Sequence, residues 1–215
     1  MNRLIVGGMV DGWRVFVVVA AVWLMMAWAN PKDVTPDAMK KLESGEILLE
    51  IRFQSDADAG EGEAIAVIDA PADRLFRVIT DRVHFAEFMP YVKKSEVEVA
   101  SDGGIVNYQY LALPLIKNRF YKVRVAAETR QTDLGEEYRT YWQYIPGSGN
   151  IRDTHGEWNL LPWSTHDRTF VRYLIYTDPG GKLPQWVQRV ATKKALKAVL
   201  EAVRKRVKDP RYNPE

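Results

Sequence analysis

One long amphipathic helix near the end of the chain constrains the fold more than any other feature of the sequence. Within residues 183–207, apolar side chains recur at steps of three and four, which places them on one face of a helix. The opposite face is basic and carries Lys193, Lys194, Lys197, Arg204, Lys205 and Arg206. A helix with one apolar face buries that face against another element. The remainder of the chain must therefore supply a surface long enough to cover it.

The segments upstream of this helix are mainly β-strands. Runs of apolar, β-branched and aromatic residues alternate with turn sequences such as SDGG, TDLGE and PGSGN. The predicted strands cover residues 46–54, 61–68, 94–100, 104–113, 120–129, 138–145, 157–161 and 169–177. Short helices are predicted over 36–42, after Pro71, and within 84–92, where Pro90 ends the helix. This order predicts an α+β fold in which the long C-terminal helix covers one face of an antiparallel sheet. A curved sheet wrapped around such a helix can leave a cavity between them.

The N-terminal residues have the features of an export signal. Residues 15–29 form an unbroken apolar run that follows Arg3 and Arg14. As a helix this run extends roughly 22 Å, which is short for a hydrocarbon core about 30 Å thick. The closing Ala27-Trp28-Ala29 is typical of signal-peptide cleavage, here before Asn30. An uncleaved membrane anchor is the alternative. In both cases we expect export to the periplasm, because no Lys/Arg cluster follows the run.

Composition narrows the classes of function. Without residues 1–29 the chain has 28 basic and 27 acidic residues, which is no signature of nucleic-acid binding. The sequence contains no cysteine, so thiol catalysis, lipoprotein anchoring and thiolate metal sites are excluded. The three histidines lack metal-ligand spacing, and residues 164–167 crowd a Ser, a His and an Asp into one turn that cannot form a catalytic triad. We therefore predict no metal, no cofactor and no nucleic-acid partner.

Four segments resemble START and related helix-grip lipid-binding domains of the SRPBCC superfamily, which includes polyketide cyclases, dehydrases and Coq10-like proteins. LPLIKNRFY at residues 113–121 resembles the Pro-x-Pro-x-x-x-Arg-Asp-Tyr connection of this family, although Ile116 replaces the second proline and Phe120 the acidic residue. The other segments are VIDAPADRLF at 67–76, GEWNLLP at 156–162 and YTDPGGKLPQW at 176–186. The resemblance implies a helix-grip fold over residues 46–208, with a cavity for one lipid, sterol, hopanoid or quinone.

These observations predict the following organisation and function. Residues 1–29 are the signal peptide, 30–45 a linker with a short helix, 46–208 the START-like lipid-binding domain and 209–215 a tail. We expect an exported, non-catalytic carrier that acts as a monomer, holds a hydrophobic molecule or lipid and contacts membrane surfaces transiently. The resemblance leaves one alternative, a polyketide cyclase or aromatase that uses the same cavity.

Strand alternation indicates which side chains can line the cavity, because successive residues of a strand point to opposite faces. The predicted ligand-binding residues are Tyr108, Tyr110, Arg119, Trp142, Trp158 and Tyr173. Buried tyrosine and tryptophan need a polar partner, which suits an amphipathic ligand. Two alternatives stay open: the aromatic residues fill a closed core, and Arg119 ties its loop to the adjoining strand. Likewise, the basic face of the last helix either contacts anionic lipid or is simply solvated.

Overall fold

The computed structural model describes residues 34–53, 59–113, 117–180 and 185–213. The predicted signal peptide with its cleavage site, residues 30–33 of the predicted linker, and residues 114–116 of the START-like connection lie outside these ranges. No helix within the described ranges is long and apolar enough to cross a membrane.

Every predicted strand and helix is present, with shifted ends. The helices are α1 (Pro36–Glu43), α2 (Ala72–Thr80), α3 (Phe85–Phe88) and α4 (Gln185–Arg206). The strands are β1 (Leu48–Phe53), β2 (Gly60–Ile68), β3 (Val92–Val99), β4 (Ile105–Leu111), β5 (Arg119–Thr132), β6 (Gly135–Tyr144), β7 (Asp153–Trp163) and β8 (Thr165–Asp178). Two 3-10 turns, Arg82–His84 and Pro210–Tyr212, follow α2 and α4.

The strands form one curved antiparallel sheet with the order β1-β2-β8-β7-β6-β5-β4-β3. Helix α4 packs against β1 and β2, while α2 packs against β6, β7 and β8. Both helices lie on the concave face, and α3 with the preceding turn lies against the edge strand β3. Among the described elements, no helix packs closely against β4 or β5. The predicted helix-grip architecture is confirmed, and part of its concave face is left open.

Small residues on β2 allow α4 to lie close to the sheet. Ala64 and Ala66 are fully buried beneath Leu196 and Leu200 of the helix. At Gly62 a Cβ atom would lie 2.7 Å from Cδ1 of Leu196, so a side chain there would push the helix away. The main core therefore forms between β2, α2 and α4, because only this side of the sheet combines small strand residues with the apolar face of the helix.

The opposite, convex face has its own smaller core and a set of ion pairs. Helix α1 contributes Leu42 to a cluster with Val67, Leu161 and Phe170. Beside this cluster Arg139 is buried, with Nη2 at 2.6 Å from the Glu157 carboxylate and Nη1 at 2.7 Å from Glu128. Charge on this face is thus matched by opposite charge wherever it is deeply buried, as such burial requires.

Two residues of the predicted basic face of α4, which was expected to contact anionic lipid or solvent, instead make structural contacts. Arg204 donates to the backbone carbonyls of Gly45 and Val67 at 2.8 and 3.0 Å. Arg206 donates to Glu87 of α3 at 2.6 Å and to the Tyr212 hydroxyl at 3.2 Å. The prediction for these two residues is corrected, because the helix end lies against the sheet edge and α3 rather than in solvent.

The last described residues belong to the domain rather than to a separate tail. Tyr212 is buried, and its hydroxyl donates to Asp81 at 2.7 Å. Asp81 also accepts a 2.6 Å hydrogen bond from Nδ1 of His84, when that nitrogen carries the proton. Burial alone raises the pKa of Asp81, but the hydrogen bonds from His84 and Tyr212 outweigh it and leave the pKa below its usual range. This contact joins the end of α4 to the end of α2.

Candidate functional site

Three of the predicted site residues form one aromatic wall on the concave face. The ring of Tyr173 on β8 stacks on Trp158 of β7 at a centroid distance of 4.2 Å and on Trp142 of β6 at 5.9 Å. The strand register explains the arrangement, since Trp158 pairs directly with Tyr173 and with Thr140. The register therefore places these three predicted residues on one face of the sheet. Their contact with a ligand stays a prediction.

A glycine makes room for the outermost ring of this wall. Gly156 of β7 pairs with Trp142 of β6. A Cβ atom at Gly156 would lie 2.5 Å from Cζ2 of Trp142 and would also clash with the Leu174 carbonyl oxygen. Because real Cβ atoms do not approach that closely, only glycine lets the Trp142 indole lie flat across β7.

Arg82 brings a positive charge to this wall. Helix α2 ends at Thr80, and the 3-10 turn Arg82–His84 directs the Arg82 side chain inward, leaving it 7% exposed. Its Nη2 donates to Oγ1 of Thr140 at 3.1 Å, and its guanidinium carbon lies 5.6 Å from the ring centroid of Phe85. The hydrogen bond to Thr140 is the one its side chain makes within the described residues. Four of the five N–H donors of the guanidinium therefore remain unused.

The electrostatic environment of Arg82 is unusual for a buried charge. Burial lowers its pKa to about 10, and only the nearby tyrosines Tyr173 and Tyr121 act in the opposite direction. No carboxylate of the described residues contributes to this pKa, in contrast to Arg139 on the convex face. A pKa of about 10 keeps the guanidinium protonated at neutral pH. The concave face thus holds a cation that has no counter-charge among the described residues.

The two tyrosines beside Arg82 are neutral hydrogen-bonding groups. Burial raises the pKa of both Tyr121 and Tyr173 well above the usual range for a phenol. The Tyr121 hydroxyl donates to Gln109 at 3.0 Å, and Gln109 donates in turn to Asn107 at 2.9 Å. The Tyr173 hydroxyl has no hydrogen bond within the described residues. Neither tyrosine can act as a base at neutral pH, but each can donate a hydrogen bond.

The strand register corrects two of the predicted site residues. Asn107 and Gln109 pair with Val123 and Tyr121 on the concave face, so the intervening Tyr108 lies on the convex face. There Tyr108 lies beside Lys94, whose Nζ is 5.7 Å from the ring centroid, and lines a shallow outer groove. Tyr110 shares its face and accepts a hydrogen bond from Asn118 at 2.6 Å. The predicted alternation of β4 was right, but its aromatic side faces outward.

Arg119 has a structural position rather than one in the site. Its Nε and Nη2 donate to the carbonyl oxygens of Pro179 and Gly180 at 2.7 and 3.0 Å, and its Nη1 donates to Lys117 at 2.8 Å. These bonds join the start of β5 to the turn that follows β8. The prediction that Arg119 binds ligand is corrected in favour of its alternative, because backbone carbonyls already occupy its guanidinium.

The sequence did not identify Arg82, the most informative residue of the site, as a candidate. In the sequence it stands next to Asp81 in a polar turn, where a solvated arginine is the ordinary expectation. The sequence could have indicated Tyr121, because this residue lies two positions after Arg119 on the same face of β5. Nothing in the sequence indicated that Asn107 and Gln109 face inward, since polar residues on a strand normally mark the solvent side.

The arrangement supplies an apolar surface with a few polar groups, the combination typical of small-molecule sites. The described residues include no group of three His, Asp or Glu side chains that could hold a metal ion. This arrangement can recognise a molecule that has one apolar part and one part that accepts hydrogen bonds.

Comparisons with known proteins agree with this architecture. Among solved structures, a STAR-related lipid transfer protein from Xanthomonas axonopodis is 24% identical, with 76% of this chain and 94% of that chain covered and a TM-score of 0.62. Human STARD10 is 17% identical over 77% of this chain and 71% of that chain, with a TM-score of 0.64. The Zhui aromatase/cyclase from Streptomyces sp. R1128 is 17% identical over 74% and 94%, with a TM-score of 0.55. These identities show the fold alone.

At the level of sequence, no curated protein matches the chain. A family profile matches residues 68–204, which is more than half of the 215 residues. The resemblance to START-like domains is thereby confirmed, and the chain belongs to the family described as polyketide cyclase / dehydrase and lipid transport.

Proposed function

We propose that the protein is an exported carrier that binds a hydrophobic molecule on its concave face and moves it between membranes. The observation that carries this proposal is the stacked wall of Trp142, Trp158 and Tyr173 beside a part of the sheet that no described helix covers closely. An apolar ligand placed there would remove surface from water, which stabilises a complex by about 25 cal/mol per Å². The family description and the similarity to a STAR-related lipid transfer protein support the same reading.

The open part of the concave face continues the apolar surface toward the edge strand. Val97 and Ile105 lie on this face of β3 and β4 and are 38% and 37% exposed, and Val99 is 69% exposed. A partly exposed apolar strip next to a buried aromatic wall suits a long hydrocarbon better than a compact polar substrate. It also offers a route by which such a molecule can enter from a membrane.

Export fits a carrier of this kind. The apolar run at residues 15–29 and the small residues before Asn30 support secretion, and a hydrophobic cargo needs protection when it crosses an aqueous compartment beside a membrane. Intact mass of the protein recovered from the periplasm tests this part. A mature chain that begins at Asn30 is expected, and retention of the protein in the cytoplasm would contradict export.

Organic extraction of the purified protein followed by mass spectrometry tests the ligand. A hydrophobic molecule in stoichiometric amount is expected, together with protein-dependent transfer of labelled lipid from donor to acceptor vesicles. Failure to extract a ligand, combined with no binding to any lipid class offered, would overturn the proposal.

A pair of matched variants locates the binding face. Ala126 and Ala127 are neighbours on β5, both are exposed, and they point to opposite faces of the sheet. Ala127 pairs with Thr140 on the concave face. Ala127→Trp should fill the recess and reduce binding at least about tenfold, while Ala126→Trp on the convex face should leave binding unchanged. Equal effects of the two variants would place the ligand elsewhere.

A cyclase remains the second candidate because Arg82 and Tyr173 place a cation and a neutral hydroxyl donor beside the aromatic wall. Such groups can polarise a ketone, and the fold is shared with an aromatase/cyclase. This candidate predicts turnover of a poly-β-keto thioester analogue that Tyr173→Phe abolishes. Binding of such analogues without turnover would leave the carrier as the function.

A further inference from the structure

Arg82 differs from the other deeply buried arginine of the described chain. Arg139 is 5% exposed and Arg82 is 7% exposed, so both guanidinium groups are removed from bulk water. Arg139 lies between the carboxylates of Glu157 and Glu128, whereas the one hydrogen bond that the Arg82 side chain makes to another described residue goes to the neutral Thr140. Burying a charge without a partner is costly, so proteins rarely keep such a charge unless something else pairs with it.

The unused donors near Arg82 face open space. Side-chain atoms that are fully enclosed and lack a hydrogen bond belong, among the described residues, to Arg74, Arg77, Asn159 and Trp163. Arg82 and Tyr173 are not among them, although both are more than nine-tenths buried. Their free N–H and O–H groups therefore touch accessible space rather than packed protein. Arg82 can only donate hydrogen bonds and carries a positive charge, and the Tyr173 hydroxyl can donate one as well.

A recess that presents donors and one positive charge selects an acceptor with one negative charge. We propose that Arg82 and Tyr173 bind the anionic head group of an amphipathic ligand, a carboxylate or a phosphodiester, while its hydrocarbon chain lies along Trp142 and Trp158. This assignment rests on the proposed carrier function and specifies its cargo. One arginine neutralises one charge, so the cargo is a monoanion such as a long-chain fatty acid or an acidic phospholipid.

The fatty-acid series supplies a matched pair of probes for the full-length protein. Oleate and oleyl alcohol share one hydrocarbon chain and differ in the charge of the head group. Calorimetric titration should show oleate binding at least about tenfold more tightly, since hydrogen bonds to charged groups are the stronger class. Dioleoyl phosphatidylglycerol and dioleoylglycerol form the second pair, which differs in the phosphodiester head group. Tighter binding of oleate or of phosphatidylglycerol then distinguishes a carboxylate site from a phosphodiester site.

Variants then test the assigned residues. Arg82→Met should weaken oleate about 10- to 100-fold and leave oleyl alcohol within about threefold. Arg82→Lys, which keeps the charge, should restore part of the preference, and Tyr173→Phe should weaken oleate about fivefold. Arg52, whose side chain is 60% exposed, provides the control, and Arg52→Met should change neither affinity. Circular dichroism of each variant establishes that it is folded.

The possible outcomes separate this inference from the carrier function. Neutral lipids that bind as tightly as anionic ones, or an Arg82→Met variant that loses both equally, would overturn the head-group assignment and leave the carrier intact. Absence of binding for every probe overturns both.

Discussion

Replacement of Arg82 by methionine should remove a charge that the folded state does not need. Burial lowers the pKa of Arg82 to about 10. A pKa difference of one corresponds to about 1.4 kcal/mol. Because the pKa falls from 12.5 to about 10, keeping the buried guanidinium charged costs about 3 kcal/mol. Methionine loses the hydrogen bond to Thr140, worth about 1 kcal/mol, and the contact with the Phe85 ring, worth about 0.5–1 kcal/mol. Thr140 keeps its own bond to the Ala126 carbonyl, so no polar group is left unpaired.

The expected result is a free energy of unfolding that stays unchanged or rises by up to about 2 kcal/mol. Urea unfolding at pH 7, followed by far-ultraviolet circular dichroism, measures it. Arg139→Met is the matched control, because Arg139 is equally buried but paired with Glu157 at 2.6 Å. Removing Arg139 leaves that buried carboxylate without a positive partner, although the Asn159 amide still donates to it at 2.8 Å, so the variant should lose about 3–5 kcal/mol.

The reasoning about Arg82 fails if Arg82→Met lowers the free energy of unfolding by more than about 2 kcal/mol. Such a loss would mean that the guanidinium holds the fold together through its contacts with Thr140 and Phe85. Arg82 would then be a structural residue, and the unpaired charge would no longer indicate a ligand.

Three further predictions follow from particular contacts. Gly156→Ala should cost about 1–3 kcal/mol in urea unfolding and alter the near-ultraviolet circular dichroism of Trp142, because the added Cβ meets the indole; an unchanged spectrum would refute the packing role of this glycine. The lowered pKa of Asp81 means that its stabilising effect is present above the ordinary carboxylate pKa and is lost as pH falls below about 4. Unfolding measured from pH 6 to pH 2.5 should therefore show a shallower loss of stability in Asp81→Asn than in the native protein, and identical slopes would contradict this. Arg119→Met should speed amide hydrogen exchange at Asp178 and Gly180, because it releases the carbonyls of Pro179 and Gly180, and unaltered exchange there would show that the turn is held by other contacts.

Local periodicity was sufficient to predict the elements of this fold. The apolar spacing in residues 183–207 predicted α4, and the turn sequences around the alternating segments predicted all eight strands. Both signals depend on backbone geometry over a few residues, with about 3.6 residues per helical turn and two per strand repeat. The ends of strands were less accurate, as β7 and β8 each begin four residues earlier than predicted, because pairing with neighbours extends them.

Periodicity could not decide which side of a strand faces the interior. In β4 one set contains Tyr108 and Tyr110 and the other contains Asn107 and Gln109. The aromatic set was assigned to the interior because apolar side chains normally gain most from burial. Pairing with β5 places Asn107 and Gln109 inside instead, where they form a hydrogen-bonded chain with Tyr121.

The sequence by itself determined the order of strands and helices and the α+β class, because these follow from spacing along the chain, and the resemblance of four segments indicated the helix-grip fold. Only the tertiary structure decided that backbone carbonyls occupy Arg119 and that Arg82 is buried with no carboxylate of the described chain beside it. The physical reason is that a side chain's charge environment is set by residues far away in sequence. Thr140 and Tyr173 reach Arg82 only when the sheet curves around the turn that follows α2.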